Sequence, residues 1–338
     1  MKKTKILSYA VIAAMAAAGF SSSAFATDGY QLIGIGQYAV GMGGAVVAAP
    51  DDPLSASISN PAGLALIHPQ AAFSAEVFNP TRKTNLGFGE IGSHSNVYGI
   101  PAIGWVAPAF GDGIVFGGGV YGTSGLGVNY LQNVPGGYAQ AYSSITFIQM
   151  APSIAMKVND HLAIGASLNI AAEQGSFQQT FTQFVNISPN PQQPYVVPIS
   201  GGLNLSTPSW AYGVGLTLGA LYKVNDKVTL GATYKSPIFF TPLTFQGGAQ
   251  VVPMPNGTQI KGNPGQYSGH LNYPQQVALG LAIRPIPQWL VSVEGQWINW
   301  HNTLNTFNIY GPWQDGTSVV PLALNWRNQW VANIGTQY

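Results

Sequence analysis

Five histidines, His68, His94, His161, His270 and His301, are the first side chains to test for chemistry, and their scatter gives no metal-ligand spacing. Glu76, Glu90, Glu173 and Glu294 fall in separate runs, and nothing in the sequence brings two of them together as a hydrolase would need. Gly34-x-Gly36 near Ala39 imitates a dinucleotide fingerprint but has no strand–helix–strand unit around it. In Gly122-Thr123-Ser124-Gly125 the second glycine arrives one position early for a nucleophile elbow. The sequence therefore assigns no catalytic residue, no metal and no cofactor, and reads as something other than an enzyme. Binding chemistry remains. A carboxylate ligand would want a basic partner, and Arg82, Arg284 and Arg327 are the only arginines, none of which the sequence can place.

The elements that would present a ligand site are set by an unusual composition. The chain has 338 residues, 46% apolar but only 7% charged, with 42 glycines, 24 prolines and no cysteine. A soluble domain carries about a quarter charged residues, so too few are present to coat a water-facing surface. A disordered chain, a disulfide scaffold and a basic nucleic-acid binder of formal charge +1 are all excluded. Beyond the N-terminus no run of about 18 apolar residues exists to make a membrane helix.

Residues 1–26 read as a signal peptide. Lys2, Lys3 and Lys5 precede an apolar stretch from Ile6 to Phe20, and Ala24-Phe25-Ala26 supplies the small-x-small cleavage pattern. The mature chain then starts at Thr27 and carries 9 basic and 11 acidic residues, since three of the 12 basic ones leave with the leader.

From about residue 70 apolar and small or polar residues alternate strictly. Leu162, Ile164, Ala166, Leu168 and Ile170 are one example; Trp210, Tyr212, Val214, Leu216 and Leu218 are another. Such runs put one face of each strand against an apolar medium, and their length suits the roughly 9–11 residues of a tilted membrane-crossing strand. Trp105, Tyr142, Trp210, Tyr222, Tyr234, Trp289, Trp297 and Trp300 lie near the ends of runs and are expected to form aromatic girdles. A secreted β-sandwich is the competing reading, but its second face would meet water and need more charge. The expected fold is an all-β, transmembrane antiparallel β-barrel over residues 70–338 in the outer membrane of a Gram-negative cell.

About ten strands are readable. Lys157-Val158-Asn159-Asp160, Lys223-Val224-Asn225-Asp226 and Arg284-Pro285-Ile286-Pro287 make short periplasmic turns. The stretches from Phe184 to Pro208 and from Gly247 to Tyr267 are expected as long extracellular loops. Because the chain stops within an alternating run at Tyr338 and lipid cannot satisfy a free sheet edge, C-terminal strands are expected to be missing; a genuine ten-stranded barrel is the alternative.

Residues 27–69 do not alternate. They contain Asp28-Gly29-Tyr30-Gln31-Leu32, Gly36, Gly41-Met42-Gly43-Gly44-Ala45, Asp51-Asp52 and Asn60-Pro61-Ala62. Small residues allow such a segment to pack closely as a plug inside a barrel. In this order the pieces resemble the N-terminal hatch of the FadL family of outer-membrane transporters. Trp105-Val106-Ala107-Pro108, Tyr121 to Tyr130 and Glu294 to Trp300 resemble that family's barrel strands. The resemblance implies fourteen strands when complete, and a monomer inserted by the barrel-assembly machinery. It also implies uptake of hydrophobic compounds, foremost long-chain fatty acids, with aromatic hydrocarbons as the alternative.

It further implies binding in the lumen and lateral release beside an inward kink in an early strand. Gly117, Gly118 and Gly119 lie in the matching strand, where glycine permits a kink; packing against the hatch would explain them equally well. Asn60, Pro61 and Ala62 match the hatch motif near the lateral opening, and otherwise make a plain structural turn. Tyr30 matches the aromatic that reaches the family's binding pocket, or packs against the wall. Outside the resemblance, a general diffusion porin and a surface adhesin remain as other functions. Too few charges are present for a porin's eyelet.

Overall fold

The computed structural model describes residues 28–188, 192–254 and 256–338; the leader expected over residues 1–26 lies outside the described residues. Alternation builds one long sheet. Its segments are β1 (Gln70–Phe78), β2 (Tyr98–Val106), β3 (Ile114–Val134), β4 (Gly137–Met150), β5 (Ser153–Lys157), β6 (Leu162–Asn186), β7 (Val196–Asn225), β8 (Val228–Lys235), β9 (Gln276–Ile286), β10 (Trp289–Ile298) and β11 (Gln329–Gln337). The antiparallel path runs β1-β2-β3-β4-β6-β7-β8-β9-β10-β11, while β5 resumes the line of β4 after Ala151-Pro152 and pairs with β3 and β6.

Side chains sort by parity. Ile164, Leu168 and Ile170 of β6, Val214, Leu216 and Leu218 of β7, and Leu279 and Leu281 of β9 point outward and are exposed. Their neighbours Ala163, Ser167, Asn169, Ala171, Thr217, Ala278 and Ala282 point inward and are buried. An apolar exterior over a small and polar interior is the reverse of a soluble protein, and matches a wall whose solvent is hydrocarbon.

Turn chemistry follows the sequence. Asn159 Oδ1 accepts from the amides of His161 (2.9 Å) and Leu162 (2.8 Å), and Asn225 Oδ1 accepts from Lys227 N at 2.9 Å, the local closure that favours Asn at such corners. At the third corner β9 continues through Arg284 and Pro285 to Ile286, so the turn itself is shorter than the Arg284–Pro287 expectation.

Two expectations need correction. The stretch from Phe184 to Pro208 is mostly strand: Phe177–Asn186 pairs with Val196–Leu205. Here the pairing of the two long strands extends well into the stretch expected as loop. Trp300 is no girdle residue; it is fully buried. The β10 run ends at Ile298, and the chain turns inward to a short helix α3 (His301–Leu304), whereas Trp105, Trp210, Tyr222, Tyr234 and Trp289 face outward as expected.

The segment before β1 holds α1 (Gln37–Gly41), α2 (Pro53–Ser59) and a 3-10 turn at Pro61–Ala65. The Asp51-Asp52 pair starts α2. Asp52 Oδ1 accepts from Ser55 N at 2.7 Å, Ser55 Oγ accepts from Asp52 N at 3.2 Å, and Pro53 sits at the first helical position, a reciprocal cap. A four-stranded sheet of Leu243–Gly247, Gly265–Gly269, Thr306–Tyr310 and Val319–Ala323 forms from the segments joining β8 to β9 and β10 to β11.

Candidate functional site

The plug is seated where the wall has no side chains. A Cβ on Gly165 of β6 would lie 2.4 Å from the carbonyl carbon of Pro61, and one on Gly219 of β7 would lie 2.1 Å from Asn60 Oδ1. Contacts of this kind continue at Gly104 with Leu54, Gly117 with Leu64, Gly231 with Val47, Gly280 with Ala48 and Gly335 with Met42. The segment therefore touches β2, β3, β6, β7, β8, β9 and β11, and the sheet surrounds it. At Gly165, Gly231, Gly280 and Gly335 backbone packs on backbone, which only glycine permits at such distances.

Polar anchors fix the seat. Asn60 is completely buried; its Nδ2 donates to Val47 O (2.8 Å) and to Ala220 O of β7 (3.1 Å), and its Oδ1 accepts from Ala62 N (3.2 Å). Pro61 and Ala62 follow as the start of the 3-10 turn, so the triplet ties the plug to itself and to the wall together. Glu294 of β10, buried, accepts from Val46 N (3.1 Å) and Val47 N (3.0 Å). Each charge-assisted bond of this type is worth about 1.5–3 kcal/mol.

Tyr30 belongs to a packed apolar core that it shares with residues of the four-stranded sheet. Its ring lies 4.9 Å from Trp300, 5.9 Å from Tyr273 and 6.1 Å from Trp326, and Phe147 stacks on Tyr273 at 4.6 Å. Phe240, Leu243, Phe245, Tyr267, Phe307 and Ile309 continue this core upward. Tyr30 is buried within the cluster.

Between aromatic core and plug lie two small adjoining cavities of about 60 Å³ each, which share Gln31, Leu32, Ile35, Ile58, Lys235 and Gln276. The first also meets Asp28, Thr233 and Glu294; the second reaches Tyr121, Thr123, Ile238 and Tyr273. Burial pushes the Asp28 carboxyl above its usual range. Lys235 is the lumenal base, and among the described residues no carboxylate comes within ion-pairing distance of it. Gln31 Nε2 and Thr233 Oγ1 are buried there without hydrogen-bond partners. Sequence reasoning considered only arginines and missed Lys235. The signal was present, because Lys235 shares the inward parity of Gly231 and Thr233.

The wall is discontinuous beside the second cavity. β2 and β3 pair only from Val106–Gly117 to Ala102–Tyr121. Ala107 N donates to Phe116 O of β3, so by alternation the groups of Ile103 and Pro101 also face β3, and Pro101 brings no donor to the next rung. A bulge at Thr123 then shifts β3. Its freed edge is taken over from inside: Leu32 N donates to Thr123 O (3.1 Å), Gly125 N donates to Tyr30 O (3.2 Å), and Gln31 bridges Ser124. Between Tyr98–Pro101 and Gly122–Gly125 the wall is a side-chain seam, with Ile100 Cγ2 at 3.6 Å from a Cβ position on Gly122. Gly117, Gly118 and Gly119 lie just below this seam, within the β2–β3 ladder; Gly118 has φ +149° opposite Ala151-Pro152, where β4 gives way to β5.

A sheet with lipid-type exterior, a plug in its lumen and an aromatic core beside it defines an outer-membrane transport barrel. The chain belongs to the outer membrane protein transport protein family (OMPP1/FadL/TodX), whose profile matches residues 12–338. Solved structures agree on the fold. The toluene transporter TbuX of Ralstonia pickettii superposes with a TM-score of 0.67 at 21% identity, over 91% of this chain and 83% of that one. A FadL homologue of Pseudomonas aeruginosa gives 0.62 at 17%, over 91% and 77%, and the toluene transporter TodX of Pseudomonas putida 0.64 at 20%, over 92% and 81%. No curated protein sequence matches the chain. The protein is therefore an all-β outer-membrane barrel of a family that carries hydrophobic compounds.

Proposed function

We propose that the protein is a gated transporter that takes up hydrophobic compounds, foremost long-chain fatty acids, and releases them sideways into the membrane. One observation carries the lateral route: the edge of β3 at Thr123–Gly125 is held by the plug's Tyr30–Leu32 instead of by β2. A ligand in the second cavity has Thr123 beside it and no backbone ladder between Ile100 and Gly122. Between Ile100 and Gly122 no β2–β3 backbone rung has to break, whereas opening a paired stretch would break one per rung.

Lys235, with the unpartnered Thr233 hydroxyl and Gln31 amide, supports a carboxylate as the polar end of the ligand. Aromatic hydrocarbons are the second reading, favoured by the rings of Tyr30, Tyr273, Trp300 and Trp326; two of the solved relatives are toluene transporters. The test is uptake of labelled oleate and toluene by cells carrying the protein or its Lys235→Met variant. Saturable oleate uptake that falls about tenfold in the variant, with the loss of one charge-assisted bond, is expected. Toluene uptake alone, indifferent to Lys235, would establish the second reading. Free passage of small sugars through the unaltered protein would contradict both.

A further inference from the structure

The edge of β3 above the seam is covered by a third element, the loop from β1 to β2. His94 N donates to Asn129 O (2.8 Å), Asn129 N to Ser93 Oγ (3.1 Å) and Gln132 Nε2 to Gly89 O (3.1 Å), while Leu86 is buried against Tyr130, Val134 and Phe181. Where loop and seam meet stands a compact group. Tyr98, first residue of β2, donates its hydroxyl to Gly127 O at 2.7 Å and accepts from Arg82 Nη2 at 2.9 Å. Arg82 also donates to Gly127 O and to Ser95 O, and its guanidinium lies 5.3 Å from the centre of the Tyr98 ring. The hydroxyl fits because residue 127 has no side chain: a Cβ there would sit 2.6 Å from it.

These contacts differ in kind from those around them. Below, β2 and β3 are joined by a regular ladder; above, the loop is anchored by backbone groups and a buried leucine. At the upper end of the seam, the side chains of Tyr98 and Arg82 reach from the β1–β2 side to a β3 carbonyl. The planar fork of arginine can hold Gly127 O and Tyr98 together.

We propose that Arg82, Tyr98 and Gly127 form a clasp that latches the upper end of the seam and sets how readily it parts. The proposal rests on the lateral route argued above. Arg82 and Tyr98 act as positioning residues: they hold β2 against β3 and touch no ligand in the closed state. Loosening the clasp should let the seam open more often without altering the lumen.

The test reads the seam directly. The chain has no cysteine, so Thr123→Cys places a single thiol on the cavity behind the seam. In proteoliposomes it is treated with pyrene-maleimide dissolved in the bilayer, and separately with a charged, water-soluble maleimide. Adding Tyr98→Phe should raise the rate with the bilayer reagent about fivefold, the factor by which losing one neutral hydrogen bond shifts an opening equilibrium. Arg82→Ala should raise it further, and the charged reagent should react at an unchanged rate in both. Gly127→Ala, which pushes the phenol away from the other side, should act like Tyr98→Phe; heat-shifted mobility on gels identifies any variant that has failed to fold. Equal bilayer-reagent rates in folded clasp variants would overturn the clasp while leaving the lateral route intact. If the bilayer reagent never reaches Thr123→Cys in any background, although the charged one does, the lateral route falls and the clasp with it.

Discussion

At the scale of single residues, the inward glycines of the wall define the plug's position more tightly than any polar contact. Gly219 is the sharpest case, since Asn60 and Pro61 both occupy the space a side chain would need, the latter with Cδ at 2.8 Å. Gly219→Val should push the Asn60-Pro61-Ala62 turn off the wall and break the bond from Asn60 to Ala220 O. Overpacking of this sort costs about 1–3 kcal/mol. We expect a lower melting temperature and measurable leakage of small sugars in liposome swelling, with the barrel still inserted. Unchanged leakage would mean that the turn is not what stoppers the lumen.

At the scale of elements, the seam is the product of one proline and one bulge. Pro101→Val would restore a donor facing β3 at the rung after Ala102–Tyr121. A rung gained there should stabilise the barrel by about 1 kcal/mol and slow uptake, seen as a rise in melting temperature with a fall in initial rate. Faster uptake would contradict the assignment of Pro101. This element also marks how far the sequence could be read. Parity along β6, β7 and β9 identifies wall, lumen and lipid face, because two solvents impose a period of two. Parity fails where strands end: Trp300 looks like a girdle residue until the chain bends after Ile298, and Val196–Leu205 looks like loop because Pro198, Gly201 and Gly202 dilute the pattern. Lys235 and Pro101 were readable from alternation alone, one by its inward parity and one as a missing donor inside a strand. The partnership of Tyr30–Leu32 with Thr123–Gly125 was not, since a three-residue pairing across ninety positions leaves no periodic trace.

At the scale of the whole molecule, three features adjoin one another: a packed aromatic core that includes Tyr30, small cavities lined by Lys235, and the plug held by Asn60 and Glu294. The plug closes the axial route, and the β2–β3 seam is the gap in the wall beside the cavities. The central claim is that ligand leaves through that seam. Ile100→Cys with Gly122→Cys would place one thiol on each side of it, in a chain with no other cysteine. Initial uptake of labelled ligand should stop when the pair is oxidised and return on reduction. Undiminished uptake by the fully cross-linked protein would contradict the account.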